Sequence, residues 1–84
     1  MQLQEDRVLD ARNLLCPMPV VKANKEIKSL APGQVLKILA TDRGSIADMP
    51  AWAEDTGNEL LAWHEEAGVL VYFVRKGSSP DSEE

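Results

Sequence analysis

The stretch CPMPVVKANKEIKSLAPG, residues 16–33, is the clearest guide to the architecture because it contains one complete helix with a marked start and a marked end. Pro17 suits the first helical position and Pro19 the first turn, since a missing N–H needs no partner there. Pro32-Gly33 ends the pattern. The spacing predicts a helix over residues 17–31. One helical stripe, at three- and four-residue spacing, comprises Val20, Ala23, Asn24, Ile27, Leu30 and Ala31.

Strand patterns lie on both sides of this helix. Residues 7–11 are typical of a short strand, and residues 34–41 of a second one in which Leu36, Ile38 and Ala40 share one face. A strand, a helix and a strand in this order form a βαβ unit with parallel strands. We therefore expect the two strands to be neighbours in one sheet.

A second helix is predicted at about residues 46–56, after a turn at Asp42-Arg43-Gly44. Ser45 followed by Asp48 resembles a capping box at its start. Pro50 either bends this helix or moves its start to a later residue.

Two further strands, residues 59–64 and 69–75, are joined by a Gly-containing turn and suit an antiparallel hairpin. The order is β-α-β-α-β-β. The predicted fold class is α/β (α+β), a two-layer sandwich with a mixed four-stranded sheet and both helices packed on one face. The other sheet face should be partly open and carry Val35, Leu39 and either Trp63 or Tyr72.

Length and charge restrict the class of protein. A chain of 84 residues has room for one small domain, which we assign to residues 1–76, followed by a disordered acidic tail at 77–84. The net charge of −5 argues against direct nucleic-acid binding, which needs a basic patch. No apolar run is long enough to span a membrane, so we expect no membrane contact and a cytoplasmic location. A small open sheet is expected to remain a monomer.

The chain has one cysteine, Cys16, and one histidine, His64. One cysteine cannot form an internal disulfide, and these two residues cannot supply the usual four ligands of structural zinc. We expect no metal ion and no cofactor. Any transfer chemistry at Cys16 must be completed by another molecule.

Cys16 directly precedes the proline-fixed helix start, at a strand-to-helix junction where α/β folds commonly place ligands. Free cysteines are often simply buried. This position instead favours a functional thiol, because unpaired N–H groups and the positive end of the helix dipole favour the thiolate.

The segment from Leu9 to Pro19, with Cys16-Pro17-Met18-Pro19 at its end, resembles the signature of the TusA/SirA-like sulfur-carrier family. The resemblance extends over residues 8–76. It implies the same two-layer fold and a Cys16 that carries sulfur as a persulfide. Family members usually have Gly where this chain has Asn13. That loop position is expected to need a positive φ, which Asn tolerates.

The resemblance also implies partners. Sulfur would come from a cysteine desulfurase or a rhodanese-like protein and pass to an acceptor protein, in tRNA thiolation, sulfur oxidation or related sulfur metabolism. Whether such a carrier counts as an enzyme, as a sulfurtransferase, is left open. A thiolate attacks the outer sulfur of the donor persulfide, and the sulfur moves across.

Several residues are predicted to support Cys16. Asp10 is expected to fix the loop by accepting backbone N–H bonds, or to cap the strand end, and Pro17 and Pro19 fix the helix entry. A set of basic residues at the Cys16 end could contact acidic partners; they are Arg12, Lys22, Lys25 and Arg43.

Two other functions remain open on the sequence. The first is a non-catalytic interaction or regulatory module. It is suggested by the open sheet face and by the similarity of the fold to the C-terminal domain of translation initiation factor three. The second is a peroxide or thiol-redox protein in which Cys16 becomes a sulfenic acid, which needs an external resolving thiol.

Overall fold

The computed structural model of the protein describes residues 4–77. It contains the six predicted elements in the predicted order, and the fold class is confirmed. The strands and helices are β1 (Arg7–Ala11), α1 (Met18–Ile27), β2 (Val35–Ala40), α2 (Ser45–Asp55), β3 (Glu59–Glu66) and β4 (Val69–Arg75).

The four strands form one mixed sheet in the order β1-β2-β4-β3. β1 and β2 are parallel neighbours, with Ala11 opposite Ala40 at their carboxyl ends. β4 pairs antiparallel with β2 and with β3. The segments that follow β1 and β2 therefore leave the sheet side by side, and Cys16 lies in the first of them.

One apolar core lies between the sheet and the two helices. Alternate residues of β2 and β4 face the helices, as expected for strands with one covered face. α1 contributes Ala23 and Ile27, and α2 contributes Met49, Trp52 and Ala53. The fully buried large side chains include Leu36, Ile38, Met49, Leu70, Tyr72 and Val74.

Helix α1 is shorter than the predicted 17–31. Pro17 precedes the first helical residue, and its carbonyl accepts the first helical bond, from the Val21 N–H at 3.0 Å. Pro19 is the buried second residue of the helix. At the other end, the Ser29 and Leu30 N–H groups bond three residues back, so the last turn tightens after Ile27.

The capping box predicted for α2 is wrong. The helix begins at Ser45, Gly44 is its N-cap residue, and no side chain caps it. Ser45 is buried, donates to the Asp42 carbonyl at 2.8 Å and lies 2.7 Å from the Tyr72 hydroxyl. Pro50 lies inside the helix without moving its start.

The predicted open face is corrected in part. Val35 and Leu39 are half-buried on it, but Tyr72 is fully buried in the core. Trp63 pairs with Tyr72 and stacks on its ring, so it belongs to the helix side of the sheet. Its side chain is 42% exposed there, beyond the edge of the core.

A two-residue turn at Ala67 and Gly68 joins β3 to β4, and both residues have positive φ. This is the geometry of a type I′ hairpin turn. Of the tail predicted at 77–84, only Gly77 is described; its N–H donates to the Asn58 side chain at 2.9 Å. Residues 78–84 lie outside the described residues. Among residues 4–77, no helix has the length and apolar character needed to cross a membrane.

Candidate functional site

The loop between β1 and α1 holds Cys16 at the carboxyl edge of the sheet. Asn13 has a φ of 67°, which confirms the expected left-handed conformation at this position. Its N–H donates to the Thr41 hydroxyl at 2.8 Å, just beyond the end of β2. The loop is thus fixed to the neighbouring strand, and it leaves Cys16 exposed to solvent.

Two carboxylates contact Cys16 from the segment that follows β2. The Cys16 N–H donates to Asp42 Oδ2 at 3.0 Å. The Cys16 thiol donates to Asp48 Oδ2 at 2.6 Å. Asp48 lies in the first turn of α2, and Asp42 lies in the loop before it. The reactive sulfur therefore faces a carboxylate as well as the start of α1.

These carboxylates overturn the expectation that the helix start lowers the pKa of Cys16. The hydrogen bond to Asp48 raises the pKa of the Cys16 thiol, and partial desolvation and the negative charges of Asp48 and Asp42 act in the same direction. A helix N-terminus acts as about half a positive charge, whereas Asp48 brings a full negative charge into contact. The two carboxylates therefore favour the thiol form of Cys16 over the thiolate.

A shallow, mainly apolar groove between α1 and α2 extends away from the sulfur. Asn24 and Trp52 both line it, and the Trp52 indole N–H donates to the Asn24 amide oxygen at 3.2 Å. Besides Asn24 and Trp52, its lining comprises Cys16, Pro17, Val20, Val21, Asp48, Ala51, Asp55 and Thr56.

Exposed apolar side chains also flank Cys16 in the sequence. Leu15 is 74% exposed, Met18 41% and Val21 50%. All three lie within five residues of Cys16 along the chain. We call Leu15, Met18 and Val21 the apolar rim. A thiol at the edge of an apolar groove and beside this rim suits contact with another protein.

Asp10 has the loop-fixing position that the sequence predicts. Its carboxylate accepts the Arg12 backbone N–H at 3.1 Å and also binds the Arg12 guanidinium through both oxygens. The Arg12 side-chain and backbone bonds lower the pKa of Asp10 to about 2. The pair is exposed, and it shapes the turn after β1.

The predicted basic residues do not form one cluster at the thiol. Arg12 pairs with Asp10, and Arg43 lies 3.3 Å from the Glu65 carboxylate. Lys22 and Lys25 line a separate depression beside β1. In the part of the chain that the structure describes, the groove containing Cys16 has no lysine or arginine in its lining.

Sequence reasoning missed Asp42 and Asp48 as neighbours of Cys16. A signal was available, because β1 and β2 were predicted to be parallel and their carboxyl ends must meet at one sheet edge. Asp42 follows β2 just as Cys16 follows β1. The capping-box prediction gave Asp48 a role within its own helix, so its contact with the Cys16 sulfur was not predicted.

The chemistry available at this site is that of a single accessible thiol with an adjacent carboxylate. Within residues 4–77, no three His, Cys, Asp or Glu side chains are arranged to hold a metal ion. His64 is on β3, where its ring stacks on Phe73 and lies 3.4 Å from Glu66.

Comparisons with known proteins agree with this geometry. The family described as sulfurtransferase TusA matches residues 7–76. The putative sulfur carrier protein YrkF of Bacillus subtilis (strain 168) is 53% identical over 76 residues, which are 90% of this chain and 41% of YrkF. The chain thus spans about two fifths of that relative. The sulfur carrier protein TusA of Allochromatium vinosum is 44% identical over 71 residues, 84% of this chain and 93% of the relative.

Among solved structures, the crystal structure of a SirA-like protein from Desulfitobacterium hafniense superimposes with a TM-score of 0.74 at 26% sequence identity. The match covers 86% of this chain and 99% of that one, so the whole two-layer fold is shared. The family match extends over both strands and both helices that frame Cys16. The chain belongs to the TusA sulfurtransferase family.

Proposed function

We propose that this protein is a sulfur carrier in which Cys16 accepts sulfur as a persulfide from a donor protein and passes it to an acceptor protein. The observation that carries the proposal is the exposed position of Cys16, the one cysteine of the chain, on the rim of an open apolar groove. A buried cysteine could not meet the sulfur of another protein. A second thiol within reach could attack the inner sulfur of the persulfide, form a disulfide with Cys16 and release the outer sulfur as hydrosulfide.

The transfer step conserves atoms and electrons. The Cys16 sulfur attacks the outer sulfur of the donor persulfide, a new S–S bond forms, and the S–S bond within the donor breaks. The Cys16 proton is lost, and the departing donor thiolate takes up a proton. The donor is left as a thiol and Cys16 as a persulfide. The second transfer, to the acceptor, repeats the same exchange.

The partners we propose are a cysteine desulfurase or a rhodanese-like protein as donor and a separate protein as acceptor. The exposed apolar side chains of Leu15, Met18 and Val21, close to Cys16 in the sequence, support contact with protein surfaces. The proposal also includes contacts between acidic partners and four basic residues, which are Arg12, Lys22, Lys25 and Arg43. We place the exchange in the cytoplasm and the carrier in a single domain up to residue 76, acting as a monomer.

Mass spectrometry of the intact protein tests the assignment. The full chain is incubated with a cysteine desulfurase and cysteine, or with a rhodanese and thiosulfate, and then freed of small molecules. We expect a gain of one sulfur atom that a reducing agent removes. Cys16→Ser should keep the native circular dichroism spectrum and gain no sulfur. Absence of the adduct on the wild-type chain with both donor classes would contradict the proposal.

A further inference from the structure

The contact between Cys16 and Asp48 has a consequence for when the thiol reacts. Sγ of Cys16 and Oδ2 of Asp48 lie 2.6 Å apart, with the thiol as donor. A second carboxylate, that of Asp42, accepts the Cys16 N–H at 3.0 Å. The sulfur is therefore exposed to solvent but held in its protonated form by its closest charged neighbour.

The charged groups around this contact are mostly acidic. Asp42 comes from the β2–α2 loop, and Asp48 and Asp55 come from α2 on the groove wall. The base nearest to Asp48 along the chain is Arg43, which is paired with Glu65 of β3, and the base nearest to Cys16 is Arg12, which is paired with Asp10. The residues that α1 and its N-cap bring to the groove are uncharged; they are Pro17, Val20, Val21 and Asn24. Among the described residues that line the groove, α1 therefore contributes no charged side chain beside Asp48.

We propose that Asp48 keeps Cys16 as an unreactive thiol in the free protein and releases it only when a partner brings a cationic side chain, a lysine or an arginine, to the Asp48 carboxylate. This inference rests on the proposed function, since it concerns the same sulfur. It adds a further functional residue to the site and states what a productive partner must contribute.

The physical reason is that the thiolate is the nucleophile and a neighbouring anion opposes its formation. A cation placed on Asp48 removes the acceptor of the thiol hydrogen bond and compensates the negative charge. Both changes favour the thiolate. The apolar rim of Leu15 and Met18 lets a partner exclude water at the same time, which strengthens the new ion pair. Small oxidants and electrophiles bring no such cation, so they meet the thiol form.

Alkylation of the free chain by iodoacetamide tests the restraint without any sulfur donor. In this reaction the Cys16 sulfur forms a bond to carbon, iodide leaves, and the thiol proton passes to the buffer. The variant is Asp48→Asn, which keeps the side-chain shape and removes the charge. The matched control is Asp55→Asn, which removes an equal charge from the same helix and the same groove.

We expect Asp48→Asn to react at least roughly threefold faster than wild type at neutral pH, because removing the adjacent charge lowers the pKa of the thiol, and the larger thiolate fraction outweighs the lower nucleophilicity of a less basic sulfur. The control should stay within about twofold of wild type, since a more distant charge is screened by water. Equal rates for Asp48→Asn and wild type would overturn the proposal, and so would an equal acceleration in both variants.

The pH profile of the wild-type chain gives a second test that needs no variant. Its alkylation rate should rise with a midpoint above the ordinary thiol value of about 8.5. A midpoint at or below that value would contradict the inference even if Asp48→Asn failed to fold.

Sulfur transfer from a persulfide-loaded desulfurase tests whether the partner supplies the cation. In this reaction the rate of Asp48→Asn should exceed that of wild type by much less than in alkylation, because the partner already compensates the Asp48 charge in the wild-type protein. An acceleration as large as that seen with iodoacetamide would exclude the cationic partner. If wild type took up no sulfur from any donor, the proposed function would fail while the alkylation result stood by itself.

Discussion

The Tyr72 hydroxyl lies 2.7 Å from Ser45 Oγ and joins the middle of β4 to the first residue of α2. Because Ser45 has one hydroxyl hydrogen and donates it to the Asp42 carbonyl, Tyr72 is the donor in this pair. Burial raises the pKa of Tyr72, so its hydroxyl keeps that hydrogen at neutral pH. This buried link fixes the start of the helix that carries Asp48.

Removing either partner of this link should destabilise the fold by different amounts. Tyr72→Phe leaves Ser45 with its bond to Asp42, so we expect a loss of about 1 kcal/mol in the free energy of unfolding. Ser45→Ala leaves the Tyr72 hydroxyl buried without its partner, so its cost should be larger, at about 2 kcal/mol. Urea unfolding followed by circular dichroism measures both, and the slope m should not change.

The double variant is the control for this pair. Once Ser45 is an alanine, Tyr72→Phe removes an unsatisfied hydroxyl, so the second change should cost little or restore stability. Strictly additive losses would show that the two hydroxyls do not interact.

The Asp10–Arg12 pair should be visible in the acid range. The folded-state pKa of Asp10 is about 2, below its ordinary value of 3.8. A depressed pKa contributes stability that is fully present above the unfolded value and is lost as pH falls through the folded one. Between about pH 4 and pH 2, Asp10→Asn should therefore show a shallower loss of stability than wild type. The effect should be small, because the pair is exposed.

Thermal unfolding at a series of pH values checks this prediction. Arg12→Ala serves as the comparison, since it removes the guanidinium but keeps the backbone N–H bond to Asp10. Its acid slope should lie between those of wild type and Asp10→Asn. A slope for Asp10→Asn as steep as that of wild type would disprove the assignment.

The hairpin turn offers a stabilising change. Ala67 has a φ of 51°, a conformation that costs a residue with a Cβ roughly 1 kcal/mol. Ala67→Asn creates the Asn-Gly sequence that type I′ turns prefer, and should raise the free energy of unfolding by about 0.5–1 kcal/mol. Ala67→Val should move it the other way, because a β-branched side chain fits this conformation poorly. The thermal midpoints of the two variants give the answer, and a lower midpoint for Asn than for Val would reject the argument.

Hydrophobic periodicity predicted most of the fold. The bounds of β1 and β4 are as predicted, because alternation and flanking turn residues mark them clearly. The prediction that Trp63 could lie on the open face of the sheet was wrong for a physical reason. A register shift between Leu60 and Ala62 inserts one extra residue into β3, and the side chains beyond it change face. A bulge of this kind leaves no mark in the apolar pattern.

Only the features of the site that depend on residues close together in the chain could be predicted from the sequence. The positive φ of Asn13 and the exposed position of Cys16 follow from residues close in the chain. The contact between Cys16 and Asp48 joins positions 32 residues apart. It depends on the lateral position of α2 on the sheet, which periodicity does not determine. The helix dipole is a local feature and is predictable from the sequence, whereas the carboxylate that outweighs it comes from a distant part of the chain.

The apolar rim of the site should matter for exchange with proteins and not for stability. Leu15 is 74% exposed, so Leu15→Ser should change the free energy of unfolding by less than about 0.5 kcal/mol. If a donor protein covers this side chain, losing it should lower kcat/KM for sulfur transfer by at least about tenfold, since burying a leucine is worth about 1.5–3 kcal/mol.

Val8→Ser is the matched control for Leu15→Ser. Val8 is 49% exposed, and its neighbour Leu9 packs against the core, so Val8 faces the sheet side without helices. Transfer kinetics from a persulfide-loaded desulfurase and iodoacetamide alkylation should be measured on both variants. We expect transfer to slow in Leu15→Ser alone and alkylation to stay at the wild-type rate in both, because the rim contacts the partner and leaves the thiol pKa unchanged. Equal slowing of transfer in the two variants would place the donor's contact elsewhere on the surface.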